Sequence, residues 1–479
     1  MFYSIAAALL LISGQLVLGD YIINPSTNWG VWQGWGTSLA WWAKAFGTRT
    51  DLSKIFFTTA TTSYNGVSVP GLGLNIVRYN AGACSTNTYS GTSMVKSPNI
   101  KPARQMDGFW LNWASTDPTT SSWNWNVDAN QRAALTNAKS NGANHFILFS
   151  NSPMWWMLYN KNPSGGANGT ENIQSWNYQD HATYLATIAK HAQSSWGITF
   201  ESVEAFNEPS SNWWTSTGTQ EGCKIGASTQ AQIIPYLRTA LNNQGLSSTM
   251  IAASDENTID IAISTWNALS STAKSSVNQI HVHGYQGGGG DRVTLYNTAL
   301  SQGKKLWNSE YGDSDSTGVS LASNLILDFR WLHPTAWVYW QVIDVPGWGL
   351  LEGNIDAGTL ASFAQKYYVL AHFTRHIREG MTIIDGGGDV VVSAYDSVNH
   401  KLIIVAVNWS TTSQYLNFDL SKFGGVVNGA TVPRWATSMT SGGSRYVSYP
   451  SDTVISGTRF WSNFGPNTIM TFEISGVTH

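Results

Sequence analysis

From about residue 35 to residue 375, short β-rich runs alternate with amphipathic helical stretches, and this alternation limits the fold more than any other feature of the chain. Eight runs read as strands: 32–38, 74–79 (LNIVRY), 145–150 (HFILFS), 200–206 (FESVEAF), 250–254 (MIAAS), 279–285 (QIHVHGY), 305–311 (KLWNSEY) and 336–343 (AWVYWQVI). Helical periodicity fills the gaps at 127–141, 178–196, 228–243, 258–271, 291–301, 319–331 and 360–377. In 178–196, Ala182, Leu185, Ile188, Ala189 and Ala192 recur at three- and four-residue spacing, which lines up one apolar face. Eight strands alternating with helices predict a (β/α)8 TIM barrel, an α/β fold. A doubly wound sheet would share the alternation. The glycines at 287–290 lack the G-x-G-x-x-G spacing of a dinucleotide loop and read as a flexible loop near the barrel mouth.

After about residue 378 the helical period stops. Runs at 390–394, 402–408, 415–420, 434–439, 453–455 and 468–474 read as short strands separated by turn residues. They predict an appended antiparallel β-sandwich over 378–479, packed against a barrel over 35–377.

Residues 5–12 (IAAALLLI) form a short apolar run with no charged side chain before Asp20, and Val17 and Gly19 suit a signal-peptidase site. Residues 1–19 are therefore expected to be a signal peptide, with a mature, secreted chain starting at Asp20. No later apolar run approaches the ~18 residues of a membrane span. In an oxidising compartment the two cysteines, Cys84 and Cys223, are expected to bridge. Asn168 and Asn408 head N-glycosylation sequons.

Charged residues make up only 11% of the chain, against ~25% in ordinary soluble domains, and the net charge is 26 − 29 = −3. Nucleic acid and anionic membranes are held by clustered positive charge, so neither is expected as a partner. The chain carries 24 Trp, 19 Tyr and 17 Phe. A weakly charged, aromatic-rich surface suits a neutral ligand with apolar faces and many hydroxyls, such as a polysaccharide. A monomer is expected.

Barrel enzymes place their chemistry at the C-terminal ends of strands. Glu208 lies just past the fourth run, in AFNEP, and Glu310 ends the seventh, in LWNSEY. Strands 4 and 7 of a closed eight-strand barrel face each other across its mouth, so two carboxyls there can flank one bond. Glu204, Asp255, Glu256 and Asp344 are rival carboxylates, with Glu204 read as structural. No His, Cys or Asp cluster has metal-ligand spacing, so neither a metal nor a cofactor is called for. Trp266, Trp307, Trp331 and Trp337 fall inside elements and read as core. Trp35, Trp155, Trp156, Trp213, Trp214, Trp340 and Trp348 fall at strand ends or in loops, where they can stack on sugar faces.

The pairing of AFNEP with LWNSEYG resembles the clan of retaining glycoside hydrolases that carry catalytic glutamates after strands 4 and 7. The wider string is GWGTSLAWWA at 34–43, NIVRYNAG at 75–82, SNSPMWWM at 150–157, HVHGYQ at 281–286 and YWQ at 339–341. It resembles glycoside hydrolase family 30 over nearly the whole mature chain, closest to that family's fungal endo-β-1,6-galactanases. The resemblance implies Glu208 as acid/base and Glu310 as nucleophile. It also implies an N-terminal strand, within 20–34, that joins the sandwich, and β-1,6-galactan side chains of arabinogalactan as substrate. Asn207 is then placed to bond the sugar 2-hydroxyl, Arg78 to keep Glu310 ionised, and Tyr285 to donate to Glu310, with His283 beside it. Relatives on this architecture that cleave β-1,6-glucan or glucuronoxylan remain alternatives. So does a non-catalytic sugar-binding protein, against which the carboxylate pair speaks.

Overall fold

The computed structural model describes residues 20–479; the expected signal segment, 1–19, lies outside the described residues. Eight parallel strands close into a barrel: β1 (Gly34–Ser38), β2 (Ile76–Asn80), β3 (His145–Phe149), β4 (Ser202–Glu204), β5 (Met250–Glu256), β6 (Gln279–His283), β7 (Lys305–Tyr311) and β8 (Ala336–Tyr339). Each pairs with the next, and β8 closes on β1 through Ala336↔Gly34 to Tyr339↔Thr37. Parallel strands covered on both faces need near-continuous burial, and β1, β2, β4, β6 and β8 are buried at every position. Ile76, Ile147, Trp307, Ala336 and Val338 fill the barrel interior, while the helices cover the outside.

Two predicted helices, 178–196 and 319–331, run to their expected ends, but each closes in one π turn, at Ala192–Trp196 and Asp328–Leu332. Trp331 sits on the second of these turns and is exposed rather than core. The helix predicted over 360–377 is divided. Thr359–Phe363 is a strand paired antiparallel with Leu351–Asn354, and only Gln365–Thr374 is helical. Pairing with a neighbouring strand outweighs the local helical spacing there.

The C-terminal part is two antiparallel layers. One contains Thr382–Ile384 (β9), Val391–Asp396 (β10), Lys401–Asn408 (β11), Arg434–Ser438, Val447–Tyr449 and Thr468–Ser475. The other joins Gln414–Asp419 (β12) and Arg459–Phe464 (β13) to the N-terminal strand Tyr21–Ile22, which runs parallel to β12. Strand β11 explains how the sandwich meets the barrel. Leu402, Ile404 and Ala406 enter the sandwich core, while Ile403, Val405 and Val407 face the opposite way into the core shared with the barrel helices. His372, on the last barrel helix, bridges Thr471 and Thr437 across that contact, 2.8 Å to each. The expected strand at 453–455 is reduced to a single bridge, Val454 to Thr431. The strand Arg459–Phe464, unassigned from sequence, alternates outward and inward along its length.

The expected disulfide is not formed. Cys84 and Cys223 are separate buried thiols. The Cys84 thiol packs against Glu221, and burial with that neighbouring carboxylate pushes it well above its ordinary value. Burial pushes Cys223 up to about 12. Titration without reductant should find both thiols after unfolding and neither reacting quickly in the native protein; a thiol count of zero after unfolding contradicts this.

The sequons also part. Asn168 is exposed on a tight turn. Asn408 is buried, and its amide donates to the carbonyls of Thr412 and Gly465 at 2.9 Å, so it has neither the exposure nor the free amide that glycosylation needs.

Candidate active site

Strand β4 stops at Glu204, and the chain turns back over the barrel mouth through Asn207 and Glu208. Glu208 adopts the left-handed region, φ +49°. This conformation is strained for a side chain bearing a Cβ and persists only when its surroundings fix it. Here they do. The Glu208 N–H donates to the Asp255 carbonyl at 2.8 Å, and its own carbonyl accepts from the Trp214 indole at 2.9 Å. The Trp214 ring in turn lies against Gly222, where a Cβ would fall 2.1 Å from the ring. The carboxylate accepts from the Asn257 amide at 2.6 Å and lies 3.1 Å from His283 Nδ1.

Glu310 arrives from β7. The β6–β7 register shifts by a bulge after Val282, so that His283 pairs with Glu310 at the mouth. Tyr285 donates to Glu310 Oε1 at 2.9 Å, and Arg78 Nη1 donates to Oε2 at 2.8 Å. Glu208, His283 and Glu310 thus each bring one ligand-type atom into a group whose members lie within 4.8 Å of one another.

Beneath the pair lies an ion network centred on Arg78. Its guanidinium, fully buried, reaches Glu310, Ser38 (2.9 Å), Glu204 (3.1 Å) and Asp255 (2.8 Å), and it lies 4.0 Å over the Phe149 ring. His281 contacts the other oxygen of Glu204. Asp255 touches both cations, with His283 Nε2 3.1 Å from its second oxygen. Burial alone would raise Asp255, but Arg78 and His283 outweigh it and hold the carboxyl well below the usual range. Burial would discharge His283, yet Glu310 and Asp255 raise it well above its ordinary value and so favour the imidazolium form. Glu310 stands above its ordinary value because burial outweighs the pull of His283 and Arg78. Burial and Glu310 push the Tyr285 hydroxyl well above its usual range, which keeps it a proton donor.

Two carboxylate–imidazole sets, Glu204/Asp255/His281 and Glu208/His283/Glu310, have spacing that a cation could use. Arg78 already contacts a carboxylate of each set, and the His283 imidazolium adds a second positive charge. A divalent cation would have to sit against both, so these residues fit a metal poorly.

The mouth opens into a cleft of about 640 Å³ whose walls are largely indole: Trp41, Trp213, Trp214, Trp340 and Trp348, with Asn207, Asn257 and Tyr285 among them. Trp41 meets Trp340 edge to face at 5.0 Å, and Arg104 stacks over Trp41 at 4.4 Å. Of the expected sugar-stacking tryptophans, Trp340, Trp213, Trp214 and Trp348 line this cleft, but three others do not. Trp35 is buried among Trp32, Phe329 and Phe373 with its indole on the Ile377 carbonyl. It sits near the start of β1, away from the strand's C-terminal end. Trp155 and Trp156 are buried braces, their indoles bonded to Ser85 and to the Trp110 carbonyl. Trp41, Arg104 and Asn257 are cleft residues that the sequence reading did not single out, and Asp255, read only as a rival carboxylate, joins both cations. Trp41 had a usable signal, since it follows a strand end in AWWA. Asn257 follows β5 directly and had none.

A closed parallel barrel with two carboxyls a few ångströms apart in a tryptophan-walled cleft has the parts of a glycosidase, an enzyme that hydrolyses O-glycosyl bonds. Residues 20–281 match the family model described as O-Glycosyl hydrolase family 30. The chain is 60% identical to an endo-β-1,6-galactanase of Hypocrea rufa over 456 residues, 95% of this chain and 94% of that protein. Its fold also matches a conserved exported protein of Bacteroides fragilis, with TM-score 0.74 at 16% identity over 95% of this chain and all of the other. The catalytic domain of GH30 xylanase C from Talaromyces cellulolyticus gives TM-score 0.70 at 19% identity with the same coverage. The chain belongs to O-glycosyl hydrolase family 30.

Proposed function

We propose that the protein is a secreted endo-β-1,6-galactanase that cuts galactan side chains of arabinogalactan with retention of anomeric configuration. The observation that carries the mechanism is the spacing of the pair. The oxygens of Glu208 and Glu310 that face His283 lie within 4.8 Å of one another. Retaining enzymes hold their carboxyls ~5–5.5 Å apart, whereas inverting enzymes leave ~6.5–9.5 Å for a water. The 60% identity with the Hypocrea rufa enzyme supports the linkage and the sugar, and the apolar run at 5–12 supports export.

In the first step a Glu310 oxygen attacks the anomeric carbon. The glycosidic C–O bond breaks, and the leaving oxygen keeps the electron pair and takes the Glu208 proton. In the second step Glu208 removes a proton from water, whose oxygen attacks the same carbon, and Glu310 departs as carboxylate. Arg78, Tyr285 and His283 stabilise that departing charge. Asn207, in the cleft wall beside Glu208, is placed to hold the 2-hydroxyl, a contact that strengthens as positive charge develops on the ring.

The nucleophile must be ionised, and Glu310 is raised by burial against the pull of His283 and Arg78. The acid limb of kcat/KM should therefore lie above the ordinary glutamate value of ~4.3. In His283→Asn the imidazolium is gone, Glu310 rises further, and the limb should move to higher pH. A limb that stays in place or moves down in the pH profile contradicts this electrostatic role.

The substrate is tested by reducing-sugar release from β-1,6-galactan, with β-1,6-glucan and glucuronoxylan in parallel. Release from galactan alone or far above the others is expected. Release from none, with binding intact, supports a sugar-binding protein instead.

A further inference from the structure

We infer that the outer face of the small sandwich sheet is a second, non-catalytic binding site for the neutral polysaccharide that the cleft cleaves; the ligand class rests on the proposed function. Strands β12 and β13 pair antiparallel, with Tyr415 opposite Asn463 and Asn417 opposite Trp461. Their alternate residues Leu416, Phe418, Phe460 and Phe464 are buried in the sandwich core, so the quartet points outward. Trp461 is 61% exposed and Tyr415 40%, with ring centroids 5.3 Å apart.

Lone exposed aromatics are ordinary, but this arrangement is more specific. Two rings occupy one diagonal of a two-by-two face and two asparagines the other. Neither asparagine side chain has a hydrogen-bond partner among the described residues. The nearest guanidinium along β13, that of Arg459, is taken up by Asp419 and Asp20, which leaves the quartet uncharged. Apolar ring faces beside free amides match a sugar, which offers C–H faces and hydroxyls and carries no charge. Both rings are exposed on a sheet face, which suits a polymer lying across it rather than a small solute.

The location gives the site its consequence. The six-stranded layer covers the barrel, and this sheet is the other layer, so its outer face is not an extension of the cleft. Engaging one long polymer at two places raises the local concentration of cleavable bonds at the cleft, an advantage a short fragment cannot supply.

The test compares the wild type with the double variant Tyr415→Ala/Trp461→Ala. Both side chains are exposed, and the variant should fold normally. Retardation in gels cast with high-mass β-1,6-galactan, measured in a Glu310→Gln background to keep the polymer intact, should weaken about three- to tenfold. In the active background, KM for the polymer should rise by a similar factor, with kcat and the hydrolysis of a β-1,6-galactotetraose unchanged. Unchanged retardation and polymer KM overturn the inference. So does a wild-type dimer, seen by sedimentation, that the double variant converts to monomer, since the face would then join two copies. If the wild type cleaves β-1,6-glucan or glucuronoxylan instead of galactan, the functional reading fails, and the same loss of retardation in a gel of that glycan still supports the face. Galactan cleavage with no gel retardation overturns the face alone.

Discussion

Glu310→Gln should lower kcat/KM on β-1,6-galactan by on the order of 10⁴-fold or more, because the amide cannot form the covalent intermediate. The fold should survive. Arg78 keeps Glu204, Asp255 and Ser38 as partners, and the glutamine carbonyl can still accept from Arg78 or Tyr285. Glu208→Gln should cost about 10²–10⁴-fold, the range for losing a general acid/base. The two losses differ in kind. An aryl glycoside with a good leaving group needs little protonation, so Glu208→Gln should still show its first step as a burst, and Glu310→Gln should show none. Azide added to the corresponding alanine variants should separate the roles again. Entering where water normally attacks, it gives a glycosyl azide of retained configuration for Glu208→Ala. Standing in for the nucleophile, it gives the inverted azide for Glu310→Ala. Exchange of these two outcomes reverses the assignment, and full activity in either glutamine variant rejects it.

Arg78→Met should be the most destabilising single change in the barrel, by about 3–5 kcal/mol at neutral pH. The methionine fills similar volume but leaves Glu204, Asp255 and Glu310 buried without their shared cation. In the wild type, Asp255 is depressed in the folded state, so its contribution is present above the unfolded value and lost as pH falls through the folded one. In the variant Asp255 and Glu310 lose that partner and burial pushes both upward, so the penalty grows as pH climbs through the carboxylate range and fades in acid. Denaturant melts from pH 3 to pH 7 should therefore show the gap between variant and wild type widening with pH. A constant gap would mean that packing, not charge, is what Arg78 supplies. Arg78→Lys should recover only part of the loss, since an ammonium cannot meet the fork of three carboxylates at once.

The barrel was legible because its signal is repeated eight times, and the ends of β7 coincide with the run read from KLWNSEY. The placement of Glu208 and Glu310 at the barrel mouth was legible for the same reason, as each follows a counted strand. Arg78 and Tyr285 also meet Glu310 as expected. What escaped depended on distance through space rather than along the chain. The pairing of Thr359–Phe363 with Leu351–Asn354 converted part of a helical pattern to strand. Cys84 and Cys223 carried the compartment's prior for a bridge, but the fold buries them apart. Trp35, Trp155 and Trp156 lie near strand ends in sequence, and only the packing shows that each indole donates inward. The role of Asp255 was hidden because it arises from three contacts at once, with Arg78, His283 and the Glu208 backbone.

The anomer released first tests the double displacement most directly. Proton NMR of a fresh β-1,6-galactan digest, read before mutarotation, should show the new reducing ends appearing as β and only later equilibrating to α. Initial formation of the α-anomer would contradict a covalent Glu310 intermediate.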